Sequence, residues 1–429
     1  MNLISKLVRS IFIISICSFT VKGQNLPYSR YGLGTLFDPE FTNLRGWGGL
    51  SAAYHSPFSI NFANPASYSD IKLATLDAAF FISGLHLRTP DTSVVFSDGT
   101  ISNLVLAFPV IKNKAGISFG LSPFSRVGYS ITQENDSSDA FGRSFNLFQG
   151  QGGLYRFYFG GGYKYKELAV GINFSYLFGN INYTDILAFP ETLNAFNTRR
   201  QETRQLGDFL IDAGVQYRIV LDKSKTYSLD LGATGNLKTD IKANRDLIYD
   251  RFTYTDDAGN NTSTINPKDT IYSNLDEAGQ VTLPATFSAG AIFSKQSKYS
   301  FGINYKYTMW SQYQSFGEAD ETANTWKLAF GGEFIPDSKS YQQYWKVMAY
   351  RLGMSMGRNY VELNDAQLKQ LSVTMGVGFP LRRSFSQISL AGEWIGIGSL
   401  KENPVAGSVF RLTAGFTFND KWFQKRRFD

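Results

Sequence analysis

From Leu73 onward, apolar side chains recur at every second position. In LAVGINFSYLF, Leu168, Val170, Ile172, Phe174, Tyr176 and Phe178 share one face, and Ala169, Gly171, Asn173, Ser175 and Leu177 form the other. YSFGINYKYTM (299–309) and VFRLTAGFTF (409–418) repeat the pattern, as do FLIDAGVQYRI (209–219) and WKLAFGGEF (326–334). Successive side chains of a strand point to opposite faces, so a period of two predicts strands. They centre on 73–88, 102–111, 116–132, 153–165, 168–183, 203–220, 226–248, 272–294, 298–315, 323–335, 347–361, 368–379, 386–398 and 407–418. The connections largely alternate between long (89–101, 133–152, 184–202, 249–271) and short (112–115, 166–167, 221–225, 295–297).

One apolar face and one small or polar face suits either a soluble sandwich or a membrane barrel. Aromatic residues decide between them. They crowd strand ends in YRFYFGGGYKY, YTMWSQY and GEWIG, as the interfacial girdles of a barrel do. Closure pairs every strand, so no backbone polar group is stranded in hydrocarbon. After the first residues, no apolar run of about 20 residues exists to make a transmembrane helix. The expected fold is therefore all-β, a transmembrane antiparallel β-barrel of about 14 strands, an even number as in single-chain bacterial barrels. Its place is the outer membrane of a Gram-negative bacterium, with both termini in the periplasm.

The ends and the charge refine this picture. Residues 1–23 read as a secretory signal: Lys6 and Arg9, then IFIISICSFTV, then a small residue, Gly23, at the cut. Cys17, the sole cysteine, leaves with it, so no disulfide or thiol chemistry remains. Ile16 before Cys17 disfavours a lipoprotein signal. The net charge of +6 is spread over short clusters such as KNK (112–114) and KRR (425–427). These punctuate turns and form no stripe for nucleic acid. His55 and His86 are the only histidines. No serine can be assigned to His86 as a nucleophile, and a satisfied lumen histidine is the simpler reading. Two histidines without a mature cysteine give no zinc spacing, and DDAGNNTSTINPKD (256–269) misses the calcium-loop spacing. No catalytic group, metal or cofactor is expected.

The segment 24–71, ahead of the barrel at 72–429, is rich in Gly, Ala, Ser and Asn. It carries Gly32-Leu33-Gly34, Arg45-Gly46, Gly49, Ala52, Asn61 and Asn64-Pro65-Ala66. This pattern resembles the N-terminal hatch of the FadL/TodX family of outer-membrane transporters for hydrophobic compounds. The resemblance implies a luminal plug closed by an Asn-Pro-Ala turn, with Asn61, Asn64, Pro65 and Ala66 as its key residues. It also implies a 14-stranded barrel that passively takes up hydrophobic small molecules, such as long-chain fatty acids, past the hatch. Trp47, His55 and the ending KWFQKRRFD depart from the pattern. Pro123, after Ser122, stands within the third strand and cannot donate to a ladder. In the family a kink in the third strand lets ligand leave sideways into membrane lipid, and Ser122-Pro123 marks the corresponding place. A rim bulge is the alternative. A second function stays open: FadL-like barrels also serve protein secretion or surface assembly through protein–protein contacts. The polar stretch ENDSSDAFGRS (134–144) favours it, whereas DILAFPETLNAF (185–196) is an apolar loop that either forms a groove for ligand capture or packs over the barrel mouth. Nothing in the sequence sets an oligomeric state.

Overall fold

The computed structural model describes residues 27–138, 142–189, 195–224, 226–256, 263–363, 366–403 and 405–422. Residues 1–26 with Cys17, much of the acidic stretch 256–269 and the end of KWFQKRRFD lie outside these residues. The barrel strands are β1 (Ala74–Arg88), β2 (Ser93–Ile111), β3 (Ala115–Ser138), β4 (Gly142–Tyr165), β5 (Leu168–Ala188) and β6 (Asn197–Val220). Next come β7, in segments Tyr227–Asn236 and Thr239–Asp256, and β8, in segments Ser263–Leu283 and Thr286–Lys295. The rest are β9 (Tyr299–Thr308), β10 (Thr325–Phe334), β11 (Ala349–Leu363), β12 (Ala366–Pro380), β13 (Gln387–Ile397) and β14 (Ala406–Asp420). Neighbours are antiparallel, and β14 pairs with β1 from Ala406↔Arg88 to Asp420↔Ala74. The result is a closed 14-strand barrel.

The alternation works as expected for a wall between lipid and lumen. Phe157, Phe159 and Tyr163 on β4 and Val170, Ile172 and Phe174 on β5 are exposed on the outside. Between them lie buried inward residues such as Tyr158, Asn173 and Ser175. Along β4, β5 and β6 the outer face changes from apolar to polar above Tyr155, Phe178 and Phe209, where Gln151, Asn180 and Gln205 follow. That line marks the upper edge of the hydrocarbon zone.

Two sequence expectations change, for the long connections and for His86, and one open alternative, for the apolar loop, closes. The long connections are not loops. The strands continue through 93–101, 133–138, 142–152, 184–188, 197–202, 249–256 and 263–271 as paired arms above the membrane. Cross-strand ion pairs sustain these polar arms. Arg199 Nε meets Asp250 at 3.0 Å, and Arg245 meets Glu277 at 2.9 and 2.8 Å through two nitrogens. The apolar loop 185–196 forms no open groove among its described residues. Ile186 and Ala188 are buried with Phe252, and Phe145, Leu147 and Ile265 pack around them. His86 is not luminal either. The period of two places it on the outer face of β1 with Phe80 and Ile82, whereas Leu85 and Leu87 point inward.

Candidate functional site

The N-terminal segment lies inside the barrel, and its small residues are matched to small residues of the wall. Asn64 precedes a 3-10 helix, Pro65–Asp70, and its side-chain oxygen accepts the Ala66 N–H at 3.1 Å. Proline at the first helical position needs no hydrogen-bond partner for its nitrogen. The Asn64 side-chain N–H donates to the carbonyls of Ala52 (2.5 Å) and of Val215 on β6 (3.3 Å). Asn61 donates to the carbonyls of Ser51 (2.7 Å) and Tyr54 (2.8 Å), and Ser67 Oγ donates to those of Asn61 and Asn64. The Asn-Pro-Ala turn thus folds the segment back on itself and fastens it to the wall.

The wall makes room with glycine. A Cβ at Gly171 or Gly162 would overlap the Pro65 carbonyl group, and one at Gly214 would overlap the Asn64 side chain. On the far side, Gly331 and Gly353 face the backbone of Trp47 and Gly48, and Gly376 faces Gly46. Gly48 itself has φ of +84°, a conformation that glycine adopts at no cost. Polar wall residues then meet the backbone groups brought this close. Asn173 donates to the Phe62 carbonyl at 3.1 Å, Gln216 to those of Ala52 and Tyr54 at 3.1 and 2.9 Å. Asn304 accepts the Ala52 N–H at 3.0 Å, and Thr374 Oγ1 accepts that of Gly48 at 2.9 Å. The small faces in the sequence are therefore a docking surface for backbone.

Charge anchors the segment at two levels. Near the short turns, His55 lies 2.9 Å from Asp70 and 3.2 Å from Asp230 of β7, and Lys164 of β4 reaches Asp70 at 2.8 Å. Burial alone would lower the His55 pKa. The hydrogen bonds to Asp230 and Asp70 outweigh it, and the pKa is raised. Higher in the lumen, Asp38 meets Lys327 at 2.8 Å and Lys306 at 3.4 Å. Burial there is also outweighed, and the two lysines hold the Asp38 carboxyl below the usual carboxylate range. Spacing gave no sign of these partners, which are up to 289 residues apart in sequence. His55 stood out only as a departure from the hatch pattern.

Above the Asn-Pro-Ala turn lies a luminal cavity of about 360 Å³. Phe37, Phe62, Phe124, Trp310 and Tyr360 line it together with charged residues, among them Arg156, Lys306, Asp38, Glu40, Asp212 and Glu393. Arg156 is buried, stacks 4.1 Å from the Phe62 ring centre, and its Nε has no hydrogen-bond partner among the described residues.

Ser122 and Pro123 stand where the wall changes. The β2–β3 ladder runs from Ile111↔Ala115 to Leu104↔Leu121 and stops there. Pro123 is still paired with Tyr155 of β4, with a register shift at Phe124. From Ser122 upward, β3 has no ladder partner in β2. Instead, the luminal strand Thr35–Leu36 pairs with Arg126 and Ser125, and the Phe37 N–H donates to the Phe124 carbonyl at 3.0 Å. Arg126 reaches Asp98 of β2 across the interruption at 2.6 Å. The wall is thus interrupted on one side of Pro123, and the N-terminal segment covers the free edge.

A closed 14-strand barrel with its N-terminal segment in the lumen defines the class: an outer-membrane β-barrel with a FadL-like fold. The solved structure of the toluene transporter TodX from Pseudomonas putida is similar, at a TM-score of 0.57 and 13% identity over 89% of this chain and 98% of that one. A FadL homologue from Pseudomonas aeruginosa scores 0.56 at 12% identity (90% and 99%), and the toluene transporter TbuX from Ralstonia pickettii 0.55 at 14% (89% and 98%). Identities this low speak for the fold alone. The chain belongs to the BamG family, which matches residues 3–429. No functionally curated protein matches it.

Proposed function

We propose that this barrel is a passive outer-membrane channel for small hydrophobic molecules, with residues 24–71 as its hatch. The observation that carries the reading is the aromatic-lined luminal cavity above the Asn-Pro-Ala turn, which reaches Phe37 and Phe124 at the interrupted wall. Its size falls at the lower end of small-ligand sites, which span roughly 300–1,000 Å³. Asn61, Asn64, Pro65 and Ala66 act as the latch that holds the hatch against Gly171 and Gly214. The edge at Ser122-Pro123 is the sideways exit into membrane lipid, and it needs Thr35–Leu36 to withdraw. The solved neighbours are described as carriers of toluene and monoaromatic hydrocarbons, which suit the aromatic lining. Arg156, with its free Nε–H, extends the range to long-chain fatty acids by offering a charge-assisted bond to a carboxylate.

The test is mass spectrometry of small molecules retained by the barrel purified in mild detergent, followed by toluene and oleate binding. Retained apolar molecules support the reading. Arg156→Met should then weaken oleate about tenfold or more and leave toluene unchanged. No retained molecule and no binding of either probe would sink it. The polar arms around Arg199–Asp250 would then favour the second reading, contacts with proteins of a secretion or assembly machinery.

A further inference from the structure

The wall has a second interruption, at the top of the apolar belt. Strand β6 pairs with the upper segment of β7 from Asn197↔Phe252 to Leu206↔Ala243. It pairs with the lower segment from Ala213↔Gly235 to Val220↔Ser228. Between these ladders, Gly207–Asp212 faces Asn236–Lys242 with no ladder pair. At the usual rise per residue this opens about 20 Å of wall. Its cause is a bend of the β7–β8 ribbon. The ribbon keeps one register on either side, Thr239↔Leu283 above and Asn236↔Thr286 below. It breaks at Leu237-Lys238 and Pro284-Ala285, and Pro284 has no N–H to give a ladder.

Unpaired backbone at this level is costly, because lipid offers no hydrogen bonds. Phe209 and Ile211, inside the break, are 64% and 51% exposed on the outer face, so the break straddles the upper edge of the hydrocarbon zone. A few substitute bonds are present: the Asp208 carboxylate accepts the Lys242 N–H at 3.2 Å and the Phe209 N–H at 2.8 Å, and the Leu237 carbonyl accepts from Thr239 Oγ1 at 3.0 Å. The opening is otherwise filled by side chains. Leu206, Leu210, Ile241 and Leu283 are buried in one apolar cluster. Space lies on both sides of this filling. The luminal cavity touches Leu210, Asn236 and Pro284. An outer trough of about 1220 Å³ touches Leu206, Gly207 and Lys242 at this break and runs on to Pro123 and Phe37 at the β2–β3 interruption. Leu237 stands 73% exposed beside it.

We propose that the β6–β7 break is a second portal, separate from Ser122-Pro123, which joins the luminal cavity to the outer leaflet. Its ligand is a small apolar molecule, and Leu210 and Ile241 form its gate. A rotamer change of these side chains suffices to open it, since no ladder has to break. The strand edge beside Pro123, by contrast, opens only when the luminal strand leaves. The portal rests on the proposed channel function, and the experiment separates the two.

Cys17 is the sole cysteine and falls in the expected signal, so Leu210→Cys can be labelled with a bulky maleimide in a Cys17→Ser background, with Ser122→Cys as the parallel plug at the β2–β3 interruption. Uptake of radiolabelled toluene is measured in cells that depend on this barrel. The portal predicts that labelling Leu210→Cys lowers uptake fivefold or more relative to the unlabelled variant. Leu210→Trp, a plug needing no reagent, should lower it similarly, with wild-type heat-modifiable mobility as the check on folding. If only the Ser122→Cys plug lowers uptake, the second portal is wrong and the channel stands. If the wild-type barrel adds no uptake at all, the channel reading fails and the portal fails with it.

Discussion

Truncating Asn64 to alanine isolates the latch. Asn64 is fully buried, and its side chain makes three hydrogen bonds. Two donate to the carbonyls of Ala52 and Val215, and one accepts the Ala66 N–H. After truncation, the Ala52 carbonyl keeps its bond from Gln216 at 3.1 Å, and Val215 stays within the β6 ladder. The Ala66 N–H alone is stranded in a buried site. An unsatisfied buried donor costs about 1–3 kcal/mol, and loss of an N-cap side chain costs a similar, overlapping amount. A total of about 2–3 kcal/mol is expected against the docked hatch, which shifts its undocking equilibrium about 30- to 150-fold. Hydrogen exchange of peptides covering residues 61–70 reads this shift directly, with the β12–β13 ladder as an unaffected internal control. Exchange within twofold of the wild type would refute the claim that Asn64 latches the hatch.

Gly171→Val should displace the hatch without breaking the barrel, because its Cβ overlaps the Pro65 carbonyl carbon. Faster protease cleavage within 61–70, with normal heat-modifiable mobility, checks it. The His55 cluster predicts a pH dependence. Its pKa is raised in the folded state, so its contribution is complete below the ordinary histidine value of about 6.5. The contribution fades as pH rises through the native value. Trp47, packed edge-on against Tyr54 at 5.7 Å, should report a fluorescence change on alkalinisation that His55→Gln abolishes. Asp250→Ala removes the partner of Arg199 and should raise exchange at the tips of β6 and β7 roughly 5- to 150-fold, for a cost of about 1–3 kcal/mol. The membrane-embedded ladder should not respond.

Most of the wall was legible because lipid and lumen impose opposite chemistries on alternate residues. The turn at Asn64-Pro65-Ala66 was legible as a turn signal set before the first strand. The docking surface of the N-terminal segment was only half legible. Gly171, Gly214 and Gly353 read as a small face, but nothing local says which backbone each one meets. The arms above the membrane read as loops because stretches such as QENDSS (133–138) and NTRRQE (197–202) carry no apolar face. Ladders and pairs such as Arg199–Asp250 hold them, and these depend on the neighbouring strand. Pro123 signalled the first interruption. Pro284 carried an equal signal for the second, but the ladder it bends away from belongs to β6, far away in sequence.

Cell uptake tests the central claim most directly. Labelled toluene and oleate are supplied to a strain lacking this barrel and to the same strain complemented with the wild-type chain. If the barrel is a hydrophobic-compound channel, complementation raises the initial uptake rate of at least one probe severalfold at low concentration. Equal rates for both probes in the two strains, with the barrel confirmed in the outer membrane, would contradict it.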